Sequence, residues 1–209
     1  MRRMLNRVAL IALLLSLSSA LSAPADKARI LILGDSLTAG YGIDPDQAWP
    51  ALLQEKIDEE GLSFEVFNAG VSGDTSAGGL ARIDWLLKQP VRVLVLELGA
   101  NDGLRGINLT ATRKNLQDII DRTRARYPAA DIVIAGMMVP PNLGPEYTRQ
   151  FRSLFEELAV ESEAVWIPFL LEGVAGRPEF NLPDGIHPTP QGHAIIADTV
   201  WDYLRPLLR

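Results

Sequence analysis

Val91-Arg92-Val93-Leu94-Val95-Leu96-Glu97-Leu98 is the stretch on which the fold turns. It is β-branched and apolar on both faces, without the alternation of a strand that has one side in water. Such a run is a central strand of a parallel sheet, covered above and below by helices. Before it, Ile30-Leu31-Ile32-Leu33 and Phe64-Glu65-Val66-Phe67 read as two more strands, the second ending at Asn68-Ala69-Gly70. After it, Asp131 to Gly136 and Ala164-Val165-Trp166-Ile167 supply two others.

Amphipathic stretches separate these runs. A helix is expected from about Trp49 to Glu60, and Ala77 to Leu87 sets Leu80, Ile83, Leu86 and Leu87 at helical spacing. Thr110 to Tyr127 repeats Leu116, Ile119, Ile120 and Thr123 and stops at Tyr127-Pro128, since the residue before a proline is driven out of the helical region. Pro145 to Ser162 carries Phe151, Leu154, Phe155 and Leu158, and the last helix runs from Thr189 or Pro190 to Leu204 with Ile195, Ile196, Val200 and Leu204 inward. Strand–helix alternation repeated in this way specifies an α/β fold. It has three layers, α/β/α, flavodoxin-like, with about five parallel strands and helices on both faces.

The first 25 residues are of another kind. Arg2, Arg3 and Arg7 precede the apolar run Val8 to Leu15, and small residues follow through Ala23-Pro24-Ala25. A basic start, a short apolar run and a small-x-small site make a cleaved secretory signal, the run being too short to span a bilayer. Residues 1–25 are therefore expected to be removed, leaving residues 26–209 as one domain in the periplasm or outside the cell, without a stable membrane anchor. Their loss takes away three arginines and no acid, moving the formal charge from −6 to −9. So acidic a protein is a poor ligand for nucleic acid or anionic membranes. The absence of cysteine excludes disulfides, thiolate catalysis and cysteine-bound zinc. Only His187 and His193 are available for imidazole chemistry.

In a parallel α/β sheet the ligand sits outside the carboxyl ends of the strands. Four segments belong there. Gly34-Asp35-Ser36-Leu37-Thr38-Ala39-Gly40 turns directly from the first strand, exposing the Ser36 hydroxyl beside backbone N–H groups; it suits a nucleophile, a phosphate-binding turn or a helix cap. Asp184-Gly185-Ile186-His187-Pro188 sets an acid three residues before a histidine, close enough to curl back and fix its tautomer. Taken as bland sequence, the same residues are a turn and a surface histidine. His193 falls inside the last helix and reads as structural. Gly99-Ala100-Asn101-Asp102-Gly103 brings a side-chain amide to the end of the central strand, and Asn68 to Thr75 brings Gly73, whose N–H an oxyanion can approach closely.

Together Gly34-Asp35-Ser36-Leu37, Gly73, Gly99-Ala100-Asn101-Asp102 and Asp184-Gly185-Ile186-His187-Pro188 resemble the four blocks of the SGNH (GDSL) hydrolases. The resemblance runs from about Ile30 to Leu204. Within the family it is most similar to the bacterial periplasmic thioesterase I/lysophospholipase and arylesterase group, through Gly34–Tyr41, Ser72–Ser76 and Glu97–Arg105. The resemblance implies a serine esterase or thioesterase that forms an acyl-serine intermediate. Ser36 would be its nucleophile, His187 its base and Asp184 the orienting acid, with Ser36, Gly73 and Asn101 forming the oxyanion hole.

No metal or other cofactor is required by such chemistry. Asp35, Asp74 and Asp102, which with Asp184 resemble a cation cage, are read instead as acceptors for buried N–H groups. Leu37, Leu104, Ile107, Met138, Pro140 and Ile186 are expected to line the acyl pocket, with Ser76-Ala77-Gly78-Gly79 as a mobile cover. The substrate is then a small acyl ester or thioester, and a monomer is the default state. Two alternatives stand beside this reading. One is a carbohydrate acetylesterase of the same family, disfavoured by the 7% aromatic content. The other is a non-catalytic phosphate- or nucleotide-binding module, which lacks a P-loop lysine and a G-x-G-x-x-G motif.

Overall fold

A computed structural model describes residues Lys27–Arg209, and the expected leader, residues 1–25, lies outside the described residues. Five strands form one parallel sheet: β1 (Ala28–Gly34), β2 (Phe64–Gly70), β3 (Val93–Glu97), β4 (Asp131–Ala135) and β5 (Val165–Ile167). Their order is β2-β1-β3-β4-β5. The chain winds outward from β1 in one direction and then, from β3, in the other. The crevice where the direction reverses, between the carboxyl ends of β1 and β3, is where such sheets receive ligands.

The apolar pattern accounts for these positions. Every residue of β3 is buried, as are Ile30, Leu31, Ile32 and Leu33 of β1, whereas β2 at the edge alternates and leaves Glu65 and Phe67 in solvent. Helices α2 (Trp49–Glu59) and α7 (Pro190–Leu204) pack on each other, and α3 (Ser76–Leu86), α5 (Leu109–Arg126) and α6 (Pro145–Glu161) form a second set. Thr75, Asn108 and Thr189 cap α3, α5 and α7 through their side-chain oxygens. Replacing a core leucine such as Leu33 or Leu96 by alanine costs ~2–5 kcal/mol at sites this tightly packed.

Two short helices, α1 (Ser36–Ala39) and α4 (Ala100–Leu104), add to the expected elements. They correct one expectation: Asn101 belongs to the first turn of α4 rather than to a strand end. Ser76-Ala77-Gly78-Gly79 is corrected as well. It is the ordered first turn of α3, and its glycines allow close approach rather than movement. A Cβ on Gly78 would stand 1.7 Å from Asp74 Oδ1, and one on Gly79 2.2 Å from a Leu98 methyl.

Register delivers the site. Gly34 of β1 stands level with Gly70 of β2 and with Glu97 of β3, so three loops leave the sheet side by side. Arg82 on α3 ties the first two loops together, donating to the carbonyls of Ala69 (2.7 Å) and Gly34 (3.1 Å) and pairing with Asp74 at 2.9 Å. Among the described residues, no helix is long and apolar enough to cross a membrane.

Candidate active site

Ser36 is the first residue of α1, immediately beyond β1. Asp35 before it caps the helix: its Oδ1 accepts the Leu37 N–H at 3.0 Å. Gly40 closes the helix in the left-handed region, at φ 74°. A four-residue helix held at both ends fixes the Ser36 hydroxyl above the sheet edge.

The segment from Asn181 to Pro188 folds back on itself, with Asn181 and Pro188 bridged antiparallel and the Leu182 N–H on the His187 carbonyl at 2.7 Å. Within it, Gly185 takes φ 71°, and Asp184 Oδ1 accepts the N–H groups of Ile186 (2.9 Å) and His187 (3.0 Å). This leaves Asp184 Oδ2 on His187 Nδ1 at 2.6 Å, and His187 Nε2 on Ser36 Oγ at 3.0 Å. The two backbone N–H bonds and the imidazole hold the Asp184 carboxyl down at about 2, so it is ionised throughout the neutral range. Pro188, buried behind the loop, packs against the first turn of α7 at Gly192.

Asn101 faces the same point from α4. Its Nδ2 donates to Asp35 Oδ2 at 3.0 Å, so one amide hydrogen is engaged and the other is left for a ligand. Gly73 lies in the turn Val71–Asp74, closed by the Asp74 N–H on the Val71 carbonyl at 3.0 Å. Gly73 has φ 78° and Ser72 has no positive φ, which is the type II form. The backbone N–H groups of Ser36 and Gly73 donate to no protein acceptor among the described residues. Ser36, the Asp184–His187 pair, Gly73 and Asn101 thus lie on four segments at one edge of the sheet, with His187 on Ser36 and Asn101 on the neighbouring Asp35.

Beneath them is an acid that the sequence reading passed over. Glu97, the last residue of β3, is wholly buried; its Oε2 meets the Asp35 N–H at 3.2 Å and Thr38 Oγ1 at 2.6 Å, while Oε1 has no partner. Burial, reinforced by the neighbouring Asp35 charge, holds the Glu97 carboxyl well above the usual carboxylate range. Burial also pushes Asp35 up to about 6, against the opposing bonds from Leu37 and Asn101. Gly34 is glycine because Thr38 and Glu97 leave no room, since an added Cβ would sit 2.1 Å from Thr38 Oγ1 and 2.5 Å from Glu97 Oε2.

The remaining acids are accounted for individually. Asp74 pairs with Arg82, and Asp102 accepts from the Ser76 N–H (2.8 Å), Ser76 Oγ (2.5 Å) and Thr112 Oγ1 (3.1 Å). His193 is fully buried, takes the Trp49 N–H on Nδ1 at 3.2 Å, and is pushed down to about 4 by burial. It caps α2 from α7, which is a structural task.

Of the expected acyl-pocket residues, Leu37 is corrected: at 4% exposure it turns inward from α1 and packs in the core. Leu104, Met138, Pro140 and Ile186 are exposed, and Ile107 is half-buried with its carbonyl bonded by Tyr147. Among the described residues, six of the nine large exposed apolar side chains, Tyr41, Val71, Leu104, Met138, Leu143 and Ile186, lie in the segments that follow the carboxyl ends of the strands. The expected pocket is therefore an apolar rim. Tyr41, Val71 and Leu143 were not among the expected residues. Tyr41 lies between two left-handed glycines, Gly40 and Gly42, and its ring rests on His187 with centroids 4.4 Å apart.

A flavodoxin-like sheet carrying a serine, an aspartate and a histidine in this chain order at its switch point defines a serine hydrolase. The chain belongs to the GDSL-like lipase/acylhydrolase family, whose pattern matches residues 32–195, and it is a hydrolase of ester bonds. It is 41% identical to "Esterase TesA" of Pseudomonas aeruginosa, covering 86% of this chain and 89% of that protein. It is 40% identical to "Thioesterase 1/protease 1/lysophospholipase L1" of Escherichia coli, over 86% of this chain and 84% of that protein. The crystal structure of the psychrotrophic esterase EstA from Pseudoalteromonas sp., inhibited by monoethylphosphonate, superposes with a TM-score of 0.82 at 35% identity. That match covers 87% of this chain and 99% of EstA.

Proposed function

We propose that Ser36 is the nucleophile of an esterase and thioesterase acting on small acyl substrates, lysophospholipids and aryl esters among them. The observation that carries this is the continuous relay from Asp184 Oδ2 through both nitrogens of His187 to Ser36 Oγ, at 2.6 and 3.0 Å. Ser36 Oγ bonds to the acyl carbon as its proton passes to His187 Nε2. The negative charge that develops on the former carbonyl oxygen is met by the N–H groups of Ser36 and Gly73 and by Asn101 Nδ2. Collapse breaks the bond to the leaving oxygen or sulfur, which takes the proton from His187. Water then repeats the sequence on the acyl-serine, releasing the acid and restoring Ser36.

The apolar rim supports an apolar acyl or aryl group, and similarity to an esterase and to a thioesterase supports both oxygen esters and thioesters. The basic, apolar and small-residue order of residues 1–25 supports export with cleavage near Ala25, which mass measurement of the mature chain tests.

A panel of p-nitrophenyl esters of rising chain length, acyl-CoAs and lysophospholipids, run against the wild type and Ser36→Ala, tests the activity. Turnover lost in the variant is expected. Turnover that survives there, or that is confined to acetylated sugars, overturns the reading.

A further inference from the structure

Arg105 follows α4 and is exposed, and it forms no ion pair among the described residues. An arginine of that kind is ordinarily a solvated surface charge. Here a single nitrogen, Nη2, donates both to the Gly73 carbonyl at 3.0 Å and to Asn101 Oδ1 at 3.4 Å. Gly73 and Asn101 are 28 residues apart in sequence, on different loops, and each supplies one donor to the proposed oxyanion hole. We infer that Arg105 is a positioning residue that locks these two donors into one preorganised unit.

Each bond has a definite geometric consequence. The direction of the Gly73 N–H is set by the central peptide of the Val71–Asp74 turn. Type II and type I turns differ by a rotation of that peptide through about 180°, and glycine accepts both. Gly73 is itself exposed, so packing does not decide between the two. The carbonyl that Arg105 reaches lies in the following peptide, between Gly73 and Asp74, so its bond anchors the turn beside Asn101 at the observed φ of 78° without itself choosing between the two forms. An asparagine amide has the same ambiguity, because its oxygen and nitrogen ends are nearly alike in shape. Asp35 Oδ2 on Nδ2 and Arg105 on Oδ1 together fix which end faces the reacting carbonyl. The guanidinium charge also stands beside both proposed donors, with no carboxylate paired to it among the described residues.

This inference rests on the oxyanion-hole reading of Gly73 and Asn101, so the test includes that reading as a separate arm. Arg105→Ala, Arg105→Lys, Asn101→Ala and the Arg105→Ala/Asn101→Ala double variant are assayed with p-nitrophenyl butyrate, normalised to the fraction labelled by a phosphonate. Arg105→Ala is expected to lower kcat by about ten-fold at unchanged KM, the scale of one hydrogen bond to a charged group. Arg105→Lys should recover most of that loss, since one ammonium can donate to both acceptors. The loss caused by Arg105→Ala should shrink to about three-fold in the Asn101→Ala background, where only the Gly73 arm remains. A kcat within two-fold of wild type in Arg105→Ala, an effect carried by KM, or a lysine variant as slow as the alanine one overturns the role of Arg105. If those results accompany a large loss in Asn101→Ala, the oxyanion hole stands and Arg105 alone is excluded. An unchanged kcat in Asn101→Ala overturns both.

Discussion

Removing the Asn101 side chain separates two costs that the structure keeps distinct. One amide hydrogen is committed to Asp35 at 3.0 Å, so a single hydrogen remains for the oxyanion. One preorganised donor aimed at the developing charge contributes ~3–4 kcal/mol, so Asn101→Ala should lower kcat about 10²–10³-fold. KM should stay nearly constant, because the donor is engaged fully only once the carbonyl oxygen carries charge. The second cost falls on stability. Asp35 is 1% exposed and loses one of two donors to its carboxylate, a charge-assisted bond of ~1.5–3 kcal/mol. A fall of several degrees in Tm is expected for a domain of this size. The assay is steady-state hydrolysis of p-nitrophenyl butyrate at 25 °C, with active sites counted by phosphonate titration so that unfolded protein does not enter kcat. A kcat within a few-fold of wild type, or a loss residing in KM, would refute the assignment of Asn101 to the oxyanion.

Further outcomes follow from the buried ionisable groups. Glu97 has a folded-state pKa well above its ordinary 4.5, so its proton favours the fold. That contribution is complete below 4.5 and disappears as pH rises through the folded value. Glu97→Gln should therefore match wild type in Tm below pH 4.5 and increasingly exceed it as pH rises, whereas Glu97→Ala should be less stable than Glu97→Gln at all pH values; equal losses on raising the pH in wild type and Glu97→Gln would count against a held proton. His193 is shifted the other way, from 6.5 down to about 4, so its contribution is present above 6.5 and is lost as pH falls toward 4. His193→Asn keeps an acceptor for the Trp49 N–H and should flatten the acid limb of Tm against pH, by up to about 3 kcal/mol in unfolding free energy.

The legible part of the fold is the part governed by short-range pattern. The runs Ile30–Leu33 and Val91–Leu98 announce buried strands because both of their faces are apolar, and Pro128 and Pro145 mark helix limits by sterics alone. Asp184 and His187 are readable for the same reason, since the turn that joins them is local. Contacts between distant segments leave no such trace. Glu97 looks like one charge inside an apolar run until β1 is laid beside it and Thr38 and the Asp35 N–H reach its oxygen. Arg105 reads as a solvated residue after a turn, because its acceptor on Gly73 lies 32 residues back. Leu37 was misplaced because the sense of α1 decides which way it points, and nothing in Gly34–Gly40 states that sense. Gly78 and Gly79 suggest mobility in sequence, but in space they are the places where α3 meets Asp74 and Leu98.

The most direct measurement on the central claim is covalent labelling with a fluorophosphonate, followed by peptide mass mapping. The relay of 2.6 and 3.0 Å activates one hydroxyl, so the adduct should appear on Ser36 with one equivalent bound. It should vanish in Ser36→Ala, fall sharply in His187→Ala and persist in Ser72→Ala, whose side chain takes no part in the relay. An adduct on any other residue, or labelling that survives in Ser36→Ala, would contradict the account.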